Sequence, residues 1–271
     1  MISNHSKGVL LMLIGVLIVP WLDGFAKLLG QTLPVLEVTW ARFAVQFLLV
    51  SPFAIFRLGN NLFKFRQWKL QILRGFLLVL ASTLFFASLR TLKIADAIAV
   101  FFIHPLLTVL ISHILLKEKV EFKKLFSVFI GFNGALLVIK PGMENFDWNS
   151  IFALGTGFCF SGYVILGRHL SKDSSPFQAL LITGFVGTII LLVPQQVIWV
   201  QPQGKEWGWV FAMGVIGMIG HYFIIKALEY VPASKLAPLG YFEIIGSIMV
   251  GMIIFNEIPD LTSVCGIIII I

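Results

Sequence analysis

Apolar stretches about as long as a bilayer is thick recur along almost the whole chain. A helix needs about 20 apolar residues to cross the hydrocarbon core. Such stretches run over 8–30, 35–56, 70–91, 94–116, 122–140, 149–167, 178–198, 207–228 and 233–255. A tenth, 261–271, has about half the needed length and reads as an incomplete helix. Hydrocarbon offers no hydrogen-bonding partner to an open backbone, so each stretch must be helical. The sequence therefore predicts an all-α integral membrane protein with ten transmembrane helices joined by short loops. No segment of the 271 residues is left for a soluble domain or a low-complexity linker. The first stretch follows Lys7 and lacks a small-residue cleavage site, so it reads as a span rather than a cleaved signal.

Composition narrows the function classes. Hydrophobic residues make up 58% of the chain and charged residues only 12%, with a mean hydropathy of +0.96. A soluble domain carries about 25% charge, so too little is present here to cover a water-facing surface. A soluble enzyme, a disordered protein and a nucleic-acid binder are excluded. The net charge of +7 fits basic loops beside anionic lipid, the membrane being the expected macroscopic partner. Cys159 and Cys265 both lie in apolar runs and read as small buried hydrophobes, not as a disulfide, a metal site or a nucleophile.

The basic residues orient the chain. With the N-terminus inside, the inner segments hold Lys7, Arg57, Lys64, Arg66, Lys69, Arg74, Lys117, Lys119, Lys123, Lys124, Arg168, Lys172, Lys226 and Lys235. The outer side holds Lys27, Arg90, Lys93, Lys140 and Lys205, and Arg42 lies inside the second span. That asymmetry is a positive-inside signal with a cytoplasmic N-terminus. Trp68, Trp148, Trp199, Trp207 and Trp209 fall at span ends, where amphipathic rings prefer the interface. Trp21 and Trp40 lie deeper and are candidates for a cavity wall.

The two halves share punctuation. Ser88-Leu89-Arg90-Thr91 through Lys117-Glu118 aligns with Ala227-Leu228-Glu229-Tyr230 through Asn256-Glu257 at a constant offset, without a gap. Only Leu89/Leu228, Ile114/Ile253 and Glu118/Glu257 are identical, but both blocks read as a charged span end, a short turn and a long apolar helix closed by Glu. Gly15 matches Gly155 and Lys27 matches Arg168 at nearly the same spacing. Five spans per copy invert the second copy in the membrane, giving repeats over 1–140 and 141–271. Secondary transporters are built this way, with the site near the midplane between the halves.

These features resemble the EamA-like members of the drug/metabolite transporter superfamily. The resemblance is carried by Asp23-Gly24-Phe25-Ala26-Lys27 in the first span and Ala41-Arg42-Phe43 early in the second. Ala227-Leu228-Glu229-Tyr230 with Val231-Pro232-Ala233-Ser234 carries it too, as do the helix ends Lys117-Glu118 and Asn256-Glu257. It covers essentially the whole chain and implies ten helices as two inverted five-helix repeats in an inner membrane. The family often has a Glu-Pro pair in the middle of its ninth helix. Here that position reads Glu243-Ile244, while the fourth span carries His104-Pro105. The resemblance implies a carrier, many members exporting amino acids and related metabolites and others taking up S-adenosylmethionine or riboflavin.

Ionisable residues at the bilayer centre cost about 2.5–3.5 kcal/mol each on insertion scales, so each must meet a partner or water. Asp23 and Lys27 are four apart on one helix face and can pair, unless Lys27 snorkels outward. Arg42 lies seven residues into its span and suits a carboxylate, either a substrate's or that of Asp23. His104 precedes a helix-kinking proline and suits coupling or gating, or a hydrogen bond to a neighbouring helix. Glu243 occupies the repeat position of His104. A carboxylate isolated in hydrocarbon can carry a proton and exchange it for substrate, which makes Glu243 the leading site residue. His221, a candidate binding or coupling residue, sits beside the Gly214, Gly217, Gly220 stripe, which reads as a groove for helix packing. Phe85, Phe86, Phe101, Phe102, Trp21, Tyr163 and Tyr241 are candidate aromatic walls.

The leading function is a secondary active transporter of a small polar or zwitterionic metabolite, such as an amino acid, working by alternating access with protons as the coupling ion. The alternative is an exchanger or uptake carrier for a larger metabolite such as S-adenosylmethionine or riboflavin. No cofactor or metal site is expected, and a homodimer is left open. An integral-membrane enzyme is a distant third, since His-Glu-x-x-His and Gly-x-Ser-x-Gly are both missing. A topology reporter fused after Lys119 is expected to read cytoplasm, and one after Glu144 the opposite side. The reverse pattern overturns the orientation.

Overall fold

The computed structural model describes residues 4–59, 67–116 and 147–257, with single positions between 122 and 133 and at 265 and 269. The expected fifth and tenth spans, 122–140 and 261–271, fall largely outside the described residues. The remaining eight spans are present as helices. They are α1 Asn4–Leu29, α2 Val35–Leu58, α3 Trp68–Ser88, α4 Ile94–Phe101, α5 Ile103–Leu116, α6 Ser150–Leu170, α7 Pro176–Val197 and α8 Glu206–Tyr230. After them come α9 Ala233–Leu236, a 3-10 stretch Ala237–Phe242 and α10 Glu243–Phe255. α4 with α5 forms one apolar span, and α9 through α10 forms another, so among the described residues eight helical spans are long and apolar enough to cross a membrane. Every described secondary-structure element is helical.

Local chemistry sets the helix limits. Pro34 fixes the extended entry to α2. At α7 the Ser175 side chain accepts from the Gln178 backbone N–H, and the Gln178 side chain accepts from the Ser175 N–H at 2.9 Å. This capping box, with Pro176 in the first turn, satisfies donors that the helix cannot use itself. Asp147 accepts from the Asn149 N–H just before α6. Thr91, and then Asn149, hold its carboxyl below the usual range. Asn256, in the left-handed region at φ 54°, closes α10.

The bundle is apolar outside and polar inside. Leu48, Phe56, Ile114, Val193 and Ile253 are exposed, while Asp23, Arg42, Arg74, His104, His221 and Glu243 are buried. A soluble protein does the opposite; a bundle in lipid needs this arrangement. Trp68, Trp148, Trp199 and Trp207 are exposed at helix ends. Arg74 departs from the sequence reading, which placed it with the inner loop cations. It is 1% exposed within α3 and donates to the Ala179 carbonyl of α7 at 2.8 Å.

The helices pack in a pattern that survives exchange of the two halves. α1 packs on α8 and α3 on α6, α2 packs on α7, and α2 on α8 is mirrored by α3 on α7. The α1 contact with α10 is mirrored by the α6 contact with α4 and α5. Close approach depends on glycine. A Cβ on Gly214 would stand 2.4 Å from Val45, one on Gly217 2.6 Å from Leu22, and one on Gly220 2.8 Å from Val19. The glycine stripe is thus a packing surface for α1 and α2.

One consequence is measurable. A methyl on Gly184 would meet the Phe47 backbone Cα and N at 3.0 Å, and backbone cannot yield as a side chain can. Gly208 faces open space. Gly184→Ala is expected to cost about 1–3 kcal/mol, seen as a lower unfolding temperature in detergent. Gly208→Ala is expected to be neutral or slightly stabilising. Equal effects from the two changes contradict the packing.

Candidate functional site

Two spans are interrupted, and the breaks face a common space. α4 ends at Phe101, capped by Phe102, and α5 begins at Ile103, one residue before His104-Pro105. Pro105 has no N–H, so the Phe101 carbonyl loses its ladder partner. Neighbouring α6 covers the gap. Ser161 Oγ donates to the His104 carbonyl at 3.1 Å, and Gly157 comes so close that a Cβ there would lie 3.0 Å from the Phe101 oxygen. On the other side, the 3-10 stretch Ala237–Phe242, which contains Pro238, delivers Glu243 as the first residue of α10. A helix N-terminus favours a carboxylate there.

Between the breaks lies a cavity that is partly open to the outside, lined by α1, α2, α3, α4, α5, α6, α8, α10 and the 3-10 stretch. Five of the sequence-predicted site residues line it: Asp23, Arg42, His104, His221 and Glu243. Phe85, Phe86, Phe101 and Phe160 provide aromatic wall, with Ser82, Thr156 and Gly240.

Arg42 is held by neutral partners. One terminal nitrogen donates to Ser82 Oγ, and the other contacts His221 Nε2 at 2.7 Å. The guanidinium also lies over the Phe43 ring at 4.9 Å, a cation–π contact. Asp23 is within electrostatic range of both Arg42 and Glu243, but Asp23 and Arg42 form no ion pair within 4 Å. Among the described residues, neither the Asp23 nor the Glu243 carboxylate takes a hydrogen bond. His104 stacks on Phe101 at 4.3 Å and abuts Phe160 and Gly240, and both of its ring nitrogens are buried without a hydrogen-bond partner. The expected hydrogen bond to a neighbouring helix is absent. A Cβ on Gly240 would stand 3.2 Å from the ring, so the imidazole would have to shift by a few tenths of an ångström to admit one.

Three predicted site residues stand off the cavity. Tyr163 lies behind His221, its hydroxyl 3.3 Å from Nδ1. Tyr241 packs edge-on against Phe102 at 5.1 Å, both rings buried in the apolar core. Trp21 is half-buried and packs against the same core. Trp40, the other deep tryptophan, meets Trp199 edge-on at 6.1 Å instead of forming cavity wall. Ser82, Thr156 and Phe160 were missed, because hydroxyl and phenylalanine positions recur throughout the spans with no periodic mark. Lys27 does not pair with Asp23. It bonds Glu257 at 3.0 Å and the Leu92 carbonyl at 3.1 Å, tying α1 to the end of α10 and to the turn before α4.

Comparison with known proteins decides the family. The model of the EamA-like transporter family matches residues 6–140 and again 147–271. The chain belongs to the EamA-like transporter family. It is a multi-pass membrane protein, and its named relatives are transporters. The S-adenosylmethionine uptake transporter of Rickettsia conorii is 28% identical over 92% of this chain and 84% of its own length. The riboflavin transporter of Vibrio cholerae is 26% identical, over 84% and 77%. The pseudopaline exporter of Pseudomonas aeruginosa is 22% identical, over 96% and 92%. A crystal structure at 17% identity superposes with a TM-score of 0.78 over 98% of this chain and 94% of that one. At that identity the likeness is one of fold.

The Lys27–Glu257 tie generates a prediction. Lys27→Glu and Glu257→Lys are each expected to reduce stability or transport, and the double reversal is expected to recover most of the loss. A double variant as impaired as the sum of the two singles refutes the pairing.

Proposed function

We propose that this protein is a secondary carrier that moves a small zwitterionic metabolite across the inner membrane by alternating access, coupled to protons. The supporting observation is one cavity wall that combines two unbonded carboxylates, Asp23 and Glu243, with a guanidinium held only by neutral groups. An amino-acid zwitterion meets both: its carboxylate turns to Arg42 and its cation to the acids. Two carboxylates outnumber one guanidinium, and like charges in one low-dielectric cavity resist joint ionisation. The cavity therefore calls for one more positive charge than Arg42 supplies. A proton fills that place in the empty carrier, and a substrate cation displaces it.

The architecture proposed with this reading is ten helices, with an inverted repeat over 1–140 and 141–271 and a cytoplasmic N-terminus. The exchange-invariant packing and the paired breaks support it. Rocking of one half against the other around a fixed central site is the motion such repeats allow.

Among the substrates named for the relatives, S-adenosylmethionine fits the charge pattern. It is an amino-acid zwitterion with an added sulfonium cation and an aromatic base for the phenylalanine wall. Riboflavin carries no such charge pair. Amino acids with smaller side groups remain in the panel because the same two ends would bind them.

The test is flux into proteoliposomes under an imposed pH gradient, with amino acids, S-adenosylmethionine and riboflavin as substrates. Saturable, gradient-driven flux of a zwitterion is expected, with loss of the pH dependence in Glu243→Gln. Flux that needs only unlabelled substrate on the far side would replace proton coupling by exchange. Riboflavin flux without zwitterion flux would sink the substrate class.

A further inference from the structure

The partners of the two terminal nitrogens of Arg42 fix their donors and acceptors, while its buried Nε–H has no partner. A guanidinium has hydrogens and no lone pair available, so His221 Nε2, 2.7 Å away, is the acceptor. The imidazole is then the neutral tautomer with its hydrogen on Nδ1. That hydrogen points to the Tyr163 hydroxyl oxygen, 3.3 Å away. Tyr163 is 1% exposed and meets the imidazole edge-on at 5.6 Å, so the ring has no room to turn. On the other arm, Ser82 donates its own hydrogen to the Leu78 carbonyl at 2.7 Å, which leaves its oxygen to accept from Arg42. Gly217 leaves space beside the guanidinium, since a Cβ there would lie 3.5 Å from Arg42 Nε.

Each terminal nitrogen of Arg42 carries two hydrogens and spends one on these partners. One hydrogen on each remains, in a group that lines the cavity. Two N–H groups from one guanidinium make the fork that grips a carboxylate. Both partners inside the protein are neutral, so the buried cation lacks a matching anion within ion-pair distance. A buried charge left in that condition is costly unless a ligand completes it.

We propose that Arg42 is the carboxylate subsite of the cavity and that the Tyr163–His221 pair is its positioning device. The assignment rests on the zwitterion reading above and refines it. It also removes His221 from the proton-carrying groups, because protonating Nε2 would break its bond to Arg42. Glu243 and Asp23 are left for the cationic end.

The experiment compares S-adenosylmethionine with its decarboxylated form, which keeps the sulfonium and the adenine but has no carboxylate. Binding to the purified full-length protein is measured by calorimetry for wild type, His221→Leu, His221→Gln and Tyr163→Phe. Wild type is expected to prefer the carboxylate form by about tenfold or more, the usual worth of a hydrogen-bonded charge. His221→Leu is expected to lose that preference, weakening the carboxylate form more than the decarboxylated compound. Gln offers Arg42 an acceptor and Tyr163 a donor, so His221→Gln is expected to restore the preference, with Tyr163→Phe intermediate. If His221→Leu weakens both compounds equally, His221 only packs, and the assignment fails. If it retains the full preference, the positioning role fails. Wild type binding both equally overturns the carboxylate subsite alone, whereas wild type binding neither overturns S-adenosylmethionine as the substrate and this assignment with it.

Discussion

A backbone in hydrocarbon must satisfy its own hydrogen bonds, and everything unusual in this structure sits where that rule is relaxed. A spanning helix can depart from the α ladder only where protein or a water-filled space encloses the departure. Both interruptions here meet the condition. The break before His104 is closed by Ser161 and by the approach of Gly157, and the 3-10 stretch before Glu243 packs on α1 and α5. The interruptions in turn place His104 and Glu243 at the cavity. Polar side chains and irregular backbone occur together because both need the same shelter.

The same constraint gives different roles to two buried arginines, Arg74, which the sequence placed with the inner cations, and Arg42, which it placed inside a span. Arg74 is spent on a helix–helix contact, donating to the Ala179 carbonyl, and it does not line the cavity. Arg42 lines the cavity beside two carboxylates and is braced by a serine and a histidine. Burial does not distinguish them, because both are almost fully buried. What differs is the direction the helix turns each one, and that is a property of the assembled bundle.

This explains what could and could not be read in the residues. Span positions follow from hydropathy, and the eight described spans fall where the apolar stretches run. Five of the proposed site residues share one cavity because ionisable groups are rare enough in the spans to be noticed singly. The aromatic residues were harder to place. Helix geometry alone argues against Trp21: residues two apart point about 200° away from each other. With Asp23 toward the cavity, Trp21 must face the surrounding helices, and it does. Tyr241 stands in the same relation to Glu243, across the short 3-10 stretch. Ser82 had no such handle, since its role depends on an arginine forty positions away on another helix. The Lys27–Glu257 tie spans nearly the whole chain and is visible only in three dimensions.

The two halves use one backbone device for different chemistry. His104 and Glu243 each stand just after an interruption, yet one is an imidazole stacked on phenylalanine and the other an open carboxylate. Neither Asp23 nor Arg42 has a charged counterpart within the body of α6 or α7, where charge appears only as Arg168 and His169 near the end of α6. The scaffold is therefore close to symmetric while its charges are not. In a carrier of the proposed kind, that division follows from the two demands on the molecule. Similar halves give two conformations of comparable energy, which rocking between two sides requires. A zwitterion has two unlike ends, so the groups that bind it must break the symmetry.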